Sequence, residues 1–457
     1  MDSIREQQWH LDAMKAPEMW QTTKGQGATV AVIDSGFKMD HPDLSGQFLP
    51  GKDFSGLPGG VGVDATGHGT GIAGFIAGTG KGLGGKGAYG LAPGAKILPL
   101  KINTNGDAAN PIDASGYLKQ VDQAIVYAAD QGAKVINISS VAGSTGVSPT
   151  DISELGSAVT HATAKGALVV AGAGNSGQQG NPLLYPAALS GVMAVAAVDR
   201  NGLVTSESEH GPQVDLAAPG MEMYTSCTGA SGYCKTHGTS DATAIVSASA
   251  ALLSAAHPDW NGNQIARVLI NTAGKPTDGS SWNDSVGYGG VRPRVALTTP
   301  GDPGPANANP LAEAPPGTQP SPGPATTAAP SVSASAPATV PASPVPSEGG
   351  EPVGSPVAQP RADEGSDSGS LVPMVAAVVV GLVLVAGVVF FVLRRRAASR
   401  EVPVGEPAGV VPPAPSGYPN VPGQAPQQSG PGVPPPPGYG PPSYEPPAPP
   451  SDNPYAR

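Results

Sequence analysis

Four residues of this chain could together break an acyl bond: Asp34, His68, Asn175 and Ser240. A serine hydroxyl is a poor nucleophile until an imidazole takes its proton. A carboxylate must then fix the imidazole's tautomer and stabilise the imidazolium, and a donor must meet the oxyanion. Ser240 lies in Gly238-Thr239-Ser240, ahead of a run of small residues over 242–253. That run reads as a buried helix, and a serine at its N-terminus has backbone N–H groups close to a developing negative charge. Each residue alone has a plainer reading. Gly-Thr-Ser also suits a solvated turn or an N-cap. Asp34 before Ser35-Gly36 suits a turn, and Asn175 between glycines suits a left-handed turn. His68, in Gly67-His68-Gly69-Thr70, suits a surface loop. His41 is the rival base, but it precedes Pro42 in a turn, whereas His68 opens a helix over 71–77 whose small residues permit close approach.

The elements that must position these residues follow an α/β pattern. Residues 28–33 form a continuous apolar, β-branched run, as in a strand buried on both faces of a parallel sheet. Similar runs lie at 96–102, 134–138, 167–170 and 192–198. Helical stretches fall between them, at 115–131, where Leu118, Val121, Ile125 and Ala128 share a face, and at 152–165. The alternation predicts right-handed crossovers and a doubly wound, mostly parallel sheet with helices on both faces. Sites in such sheets form beyond the carboxyl ends of the strands. Asp34 and Asn175 each follow a strand there, and His68 and Ser240 each open a helix.

Taken together, these segments resemble the subtilisin-like serine proteases, the subtilase family. The resemblance covers roughly 9–297. It rests on Val32-Ile-Asp34-Ser-Gly36 with His41-Pro-Asp-Leu44, His68-Gly-Thr70 with Ala73-Gly74, Gly174-Asn175-Ser-Gly177 and Gly238-Thr-Ser240. Leu91-Ala-Pro93, Val135-Ile-Asn-Ile-Ser139 and Ala217-Ala-Pro-Gly220 add to it. The order Asp, His, Ser is that of the subtilisin triad. The resemblance implies a serine endopeptidase working through an acyl-enzyme, with Asp34, His68 and Ser240 as the triad and Asn175 as the oxyanion donor. It further implies substrate binding along Ser139, Ser140 and Val141, and no cofactor.

The sequence departs from the family in three places. Asp241 and Ala244 stand where a hydrophobic residue and a proline are usual, and Ser139-Ser140-Val141-Ala142 replaces Ser-Leu-Gly-Gly. Loop 78–90 has neither carboxylate nor Asn, so the family's calcium loop is not expected to hold metal there. A carboxylate at 241 is expected either to slow acylation at neutral pH or restrict the enzyme to acidic conditions, or else to point away and cap the helix. Val141 and Ala142 are expected to narrow the primary pocket. An esterase or lipase is disfavoured because Ser240 lacks a Gly-x-Ser-x-Gly elbow. The rival reading is a weakly active or inactive subunit of a secretion complex.

Composition divides the chain. Residues 1–298 read as one peptidase domain, large enough for a substantial core. Residues 299–370 read as a disordered Pro/Ala/Ser-rich linker. The uncharged apolar run 371–393 is long enough to span a membrane. Arg394-Arg395-Arg396 then place the Pro/Gly-rich tail, 394–457, in the cytoplasm and the domain outside, anchored in the cell membrane. The tail reads either as a polyproline ligand or as solvated disorder. A net charge of −11 argues against nucleic acid as partner. Cys227 and Cys234, just ahead of Ser240, read as a disulfide closing a small loop beside the active site, as free thiols, or as a metal pair lacking partners; an extracytoplasmic domain favours the disulfide. Residues 1–20 carry no basic-apolar-small leader, so for a domain outside the membrane either the start as given is truncated or the numbering begins after a removed leader. The layout as a whole resembles the mycosins, membrane-anchored proteases associated with type VII secretion, which implies a protein or peptide substrate and secretion-complex partners.

Overall fold

A computed structural model describes residues 3–105 and 110–312. Helices α1 (Ile4–Gln7), α2 (Trp9–Ala13) and α3 (Ala16–Thr22) precede β1 (Thr29–Asp34) and β2 (Lys52–Asp53). Then come α4 (His68–Ala77), α5 (Gly82–Gly85), β3 (Lys96–Lys101), α6 (Ala114–Asp130), β4 (Val135–Ile138), β5 (Ala142–Gly143) and α7 (Pro149–Ala164). The second half runs β6 (Leu168–Gly172), β7 (Leu184–Tyr185), β8 (Val192–Val198) and β9 (Val214–Pro219), then the hairpin β10 (Met223–Ser226) and β11 (Tyr233–Thr236). It closes with α8 (Thr239–Ala256), α9 (Gly262–Thr272) and α10 (Pro293–Thr298).

Seven strands form one sheet in the order β2-β3-β1-β4-β6-β8-β9, and every pairing in it is parallel. The order turns around β1: β3 and β2 lie on one side, the later strands on the other. Successive side chains of a strand point to opposite faces. Val30 and Val32 accordingly join the core beneath α4, α8 and α9. Ala31 and Ile33 join the core beneath α6 and α7. Helices therefore cover both faces, which is why the strands read as unbroken apolar runs.

Several boundaries differ from the sequence reading. Helix α7 starts at Pro149, not 152, because Ser148 and Asp151 form a reciprocal capping box. Helix α8 starts at Thr239, so Ser240 lies within its first turn. Strand β9 was not read as a strand, since Asp215 interrupts its apolar run. The Asp215 carboxylate accepts from Ala194 N–H at 2.9 Å, beside a register shift in the β8–β9 pairing. The chain also stays packed on the domain past Thr298. Asn261 and Asn263 donate to Ala306 O at 2.7 and 2.9 Å, Arg267 donates to Ala308 O at 2.9 Å, and Leu311 is buried. Segment 299–312, expected to open the linker, is thus held by polar side chains of α9 and its cap. The span at 371–393, the tail and the remainder of the linker lie outside the described residues. Among the described residues no helix is long and apolar enough to cross a membrane.

Candidate active site

Asp34 ends β1 and is wholly buried. Its Oδ1 accepts from His68 Nδ1–H at 2.7 Å and from Ser35 N–H at 2.7 Å. This contact fixes the His68 tautomer and leaves Nε2, which has no hydrogen bond from the described residues, able to accept a proton. Two glycines make the approach possible. Gly67 precedes His68 at φ +79°, a left-handed conformation that caps the start of α4. A Cβ at Gly69 would lie 2.3 Å from Gly36 O and 3.1 Å from Asp34 Cβ. Asp64 binds the same turn, accepting from Ser35 Oγ at 2.8 Å, Gly67 N–H at 2.9 Å, and Thr70 N–H and Oγ1 at 2.9 and 2.6 Å. The sequence reading missed Asp64; its signal was a carboxylate placed just ahead of a helix start.

Ser240 is held by a buried polar chain. Ser247 Oγ donates to Asn137 Oδ1 at 2.9 Å, Asn137 Nδ2 to Ser139 Oγ at 3.0 Å, and Ser139 Oγ to Ser240 O at 3.0 Å. Asn137 and Ser247, also missed, thus brace the Ser240 backbone from β4 and from within α8. The Ser139 side chain is spent on this chain. Ser140 Oγ meets Tyr117 OH at 2.9 Å. Ser140, Val141 and Ala142 line a small pocket of about 240 Å³ with Thr104 and Tyr117.

Asn175 follows β6. Its Oδ1 accepts from Thr239 N–H at 2.9 Å and from Thr239 Oγ1 at 3.0 Å. With the carbonyl end of the amide so fixed, the Nδ2 end is oriented as a donor beside the start of α8. Gly238 is required there: its φ is +128°, and a Cβ would come 2.9 Å from Asn175 Nδ2.

His68, Ser240 and Asp241 line one cleft of about 540 Å³. No hydrogen bond joins Ser240 to His68 in this structure; such bonds tighten when substrate binds. Asp241 does not point away as a helix cap. Its Oδ2 accepts from Thr236 Oγ1 at 2.7 Å, and burial pushes its carboxyl up to about 7 against the opposing pull of that hydrogen bond and of His68. His68 is raised to about 9: burial opposes its charging, but Asp34, then Asp241 and Asp64, outweigh it. The His68 side chain keeps 38% exposure, so solvent screens part of this field. The sign is opposite to the acidic restriction expected from sequence. A base must be neutral to accept a proton, so a carboxylate that raises His68 moves its working range upward in pH.

His41 is not available as a base. It is buried; its Nε2–H donates to Gly232 O at 2.8 Å and its Nδ1 accepts from Asp43 N–H at 3.2 Å. Cys227 and Cys234 form a disulfide that staples the β10–β11 hairpin, one wall of the cleft. Asp43, behind that hairpin, holds loop 78–90 through Gly82 N–H at 2.6 Å and Ala88 N–H at 2.9 Å.

Residues 25–289 match the model of the subtilase family. Thermitase from Thermoactinomyces vulgaris is 37% identical over 281 residues, covering 60% of this chain and 91% of thermitase. Among solved structures, MycP1 from Mycobacterium smegmatis aligns with a TM-score of 0.56 at 28% identity, covering 66% of this chain and 86% of that one. The MycP3 protease from the type VII (ESX-3) secretion system aligns with a TM-score of 0.55 at 30% identity, over 64% of this chain and 88% of that one. The chain belongs to the subtilase family and is a serine endopeptidase.

Proposed function

We propose that this subtilase cleaves peptide bonds through Asp34, His68 and Ser240, with Asn175 as oxyanion donor, in a domain held outside the cell by a single span. The observation that carries this reading is the 2.7 Å contact of His68 Nδ1 with buried Asp34, in a cleft that His68 shares with Ser240.

In this mechanism Ser240 Oγ attacks the scissile carbonyl carbon while His68 Nε2 takes its proton. Asp34 accepts from His68 Nδ1–H and stabilises the imidazolium. Asn175 Nδ2 donates to the carbonyl oxygen as it gains charge. The tetrahedral intermediate collapses, His68 protonates the leaving nitrogen, and an acyl-serine remains. Water then attacks that ester with His68 again as base. Hydrolysis of a quenched-fluorescence peptide by the full chain should fall by at least about 10³-fold in Ser240→Ala and in Asp34→Asn. Retained hydrolysis in either would remove that residue from the mechanism.

The anchor rests on the uncharged run 371–393 followed by Arg394-Arg395-Arg396. The neighbouring structures include proteases of type VII secretion systems, which supports a place for this chain beside such a complex. Release of the full chain from membranes by alkaline carbonate would count against the span. Asp241 favours a second reading, a protease of low activity near neutral pH that serves partly as a structural subunit.

A further inference from the structure

The cleft shared by His68, Ser240 and Asp241 has a direction if the proposed mechanism holds, and the inference below rests on that reading. His68 hands its proton to the leaving nitrogen, so the departing segment must run past His68. The residues implied for the acyl side, Ser140 and Val141, line a different pocket. The cleft is instead closed by Gly67 and His68 on one side and by the stapled hairpin, Cys227 and Cys234 to Thr236, on the other. It is therefore the seat of the residue that follows the cut.

The charges around this seat do not balance. Lys235 Nζ is paired with Glu222 at 2.6 Å. His237 Nδ1 is paired with Glu207, at 2.8 and 2.9 Å to its two oxygens. His68 is paired with Asp34, and Asp64 is consumed by the turn before α4. Asp34 has His68, and both oxygens of Asp64 are taken by the turn, but Asp241 has neither a cation of its own nor a full set of partners: Thr236 satisfies one oxygen, and the other receives no hydrogen bond from the described residues. It is only 4% exposed, yet it borders the cleft. A carboxylate in that position costs free energy while charged and unpaired, and a cation entering the cleft recovers it. Its charged neighbours are His68, already paired with Asp34, and the closed Glu207–His237 pair, so none of them is free to supply that cation.

We propose that Asp241 is a specificity-determining residue that selects a cationic side chain, Lys or Arg, immediately after the scissile bond. An ammonium or guanidinium at Asp241 would also repel a proton on His68. A basic leaving residue would thus bring the base into its neutral form at lower pH, within the enzyme–substrate complex only. The pH dependence of kcat reports that complex, and that of kcat/KM reports the free enzyme. Neutral substrates should need alkaline pH, whereas basic ones should be cleaved near neutrality.

The test uses the full-length chain and quenched peptides identical but for Lys, norleucine or Glu after the cut. At pH 7.5 the wild type should cleave the Lys peptide about 10-fold faster in kcat/KM than its uncharged near-isostere, equivalent to ~1.4 kcal/mol. The Glu peptide should be slowest. In Asp241→Asn, which keeps the size of the side chain, the Lys-to-norleucine ratio should fall to about 1. For the wild type, the kcat limb of the Lys peptide should lie at lower pH than that of the norleucine peptide; in Asp241→Asn the two limbs should coincide. A fluorophosphonate, which carries no leaving peptide, reports Ser240 separately. Labelling of Ser240 with equal cleavage of Lys and norleucine peptides, with no cleavage of the Lys peptide, or with a preference that survives in Asp241→Asn, overturns the role of Asp241 and leaves the nucleophile standing. Absence of labelling overturns the nucleophile itself, and this inference with it.

Discussion

In the proposed mechanism Asn175 carries two opposed duties in one amide. Its oxygen is spent on Thr239, by N–H at 2.9 Å and Oγ1 at 3.0 Å, and only the Nδ2 end is left to donate. A donor held in place before the reaction costs no reorganisation when charge develops. Asn175→Ala should therefore lower kcat by about 10²–10³-fold with little change in KM, measured by steady-state hydrolysis. A change confined to KM would mean that the amide serves ground-state binding. The carboxylates divide in a similar way. Asp34 meets His68 directly, whereas Asp64 meets only the turn that presents it. Asp241, beside both His68 and Ser240 in the cleft, is set there by Thr236 from the hairpin. At this scale the readable residues were those flanked by glycines in short motifs: Asp34, His68, Asn175 and Ser240. Asp64, Asn137 and Ser247 were not readable, because their identity matters only through partners. Ser247 and Asn137, for instance, are separated by 110 positions in the chain.

At the scale of elements, the site is a junction of β1, α4 and α8. Parallel strands end on one edge of the sheet, and the helices that follow start there. Small residues let α4 and α8 come close to that edge. Thr239 to Ser254 of α8 are all buried, and Gly69 sits against Gly36 O. Gly69→Ala would drive a Cβ into backbone that cannot turn aside, at a cost of about 1–3 kcal/mol. It would also shift His68 relative to Asp34. We expect a lower Tm together with at least a 10-fold loss of kcat; an unchanged kcat would show that the β1–α4 approach has slack. The strands and the principal helices were legible in the sequence because both faces of the sheet are covered, giving continuous apolar runs, and because α6 shows its buried face at helical spacing. Strand β9 was not, since Asp215 breaks its run and is compensated by Ala194 N–H. The start of α7 was displaced for a comparable reason: the Ser148–Asp151 capping box extends it backward. The two cysteines were legible as a disulfide-closed loop beside the active site, since they stand just ahead of Ser240, but the hairpin that makes the loop a cleft wall was not, because it depends on where β10 and β11 dock.

At the scale of the whole molecule, the folded unit runs further than composition indicates. Residues 299–312 look like the linker that follows them, yet they lie along α9, whose polar side chains take up their carbonyls: Gln264 donates to Gly304 O at 3.0 Å and Arg267 to Ala308 O at 2.9 Å. Gly191 N–H donates to Leu311 O at 3.0 Å, anchoring the far end. Composition cannot reveal this, because the segment is held mostly through its backbone carbonyls, with Leu311 as a buried apolar side chain at its far end. A chain ending at 298 should melt several degrees below one ending at 312, from loss of about 2 kcal/mol of Leu311 burial alone; equal Tm values would mean that the strap adds nothing. Beyond it, the span at 371–393 and the tail remain proposals drawn from sequence. The central claim, however, is the activation of Ser240 by His68 and Asp34. The most direct measurement is fluorophosphonate labelling of the full-length protein at pH 8–9, with the modified residue mapped by mass spectrometry, in wild type, Ser240→Ala and Asp34→Asn. The account expects a single adduct on Ser240, absent in Ser240→Ala and much slower to form in Asp34→Asn. An adduct on another serine, or labelling of Asp34→Asn at the wild-type rate, would contradict it.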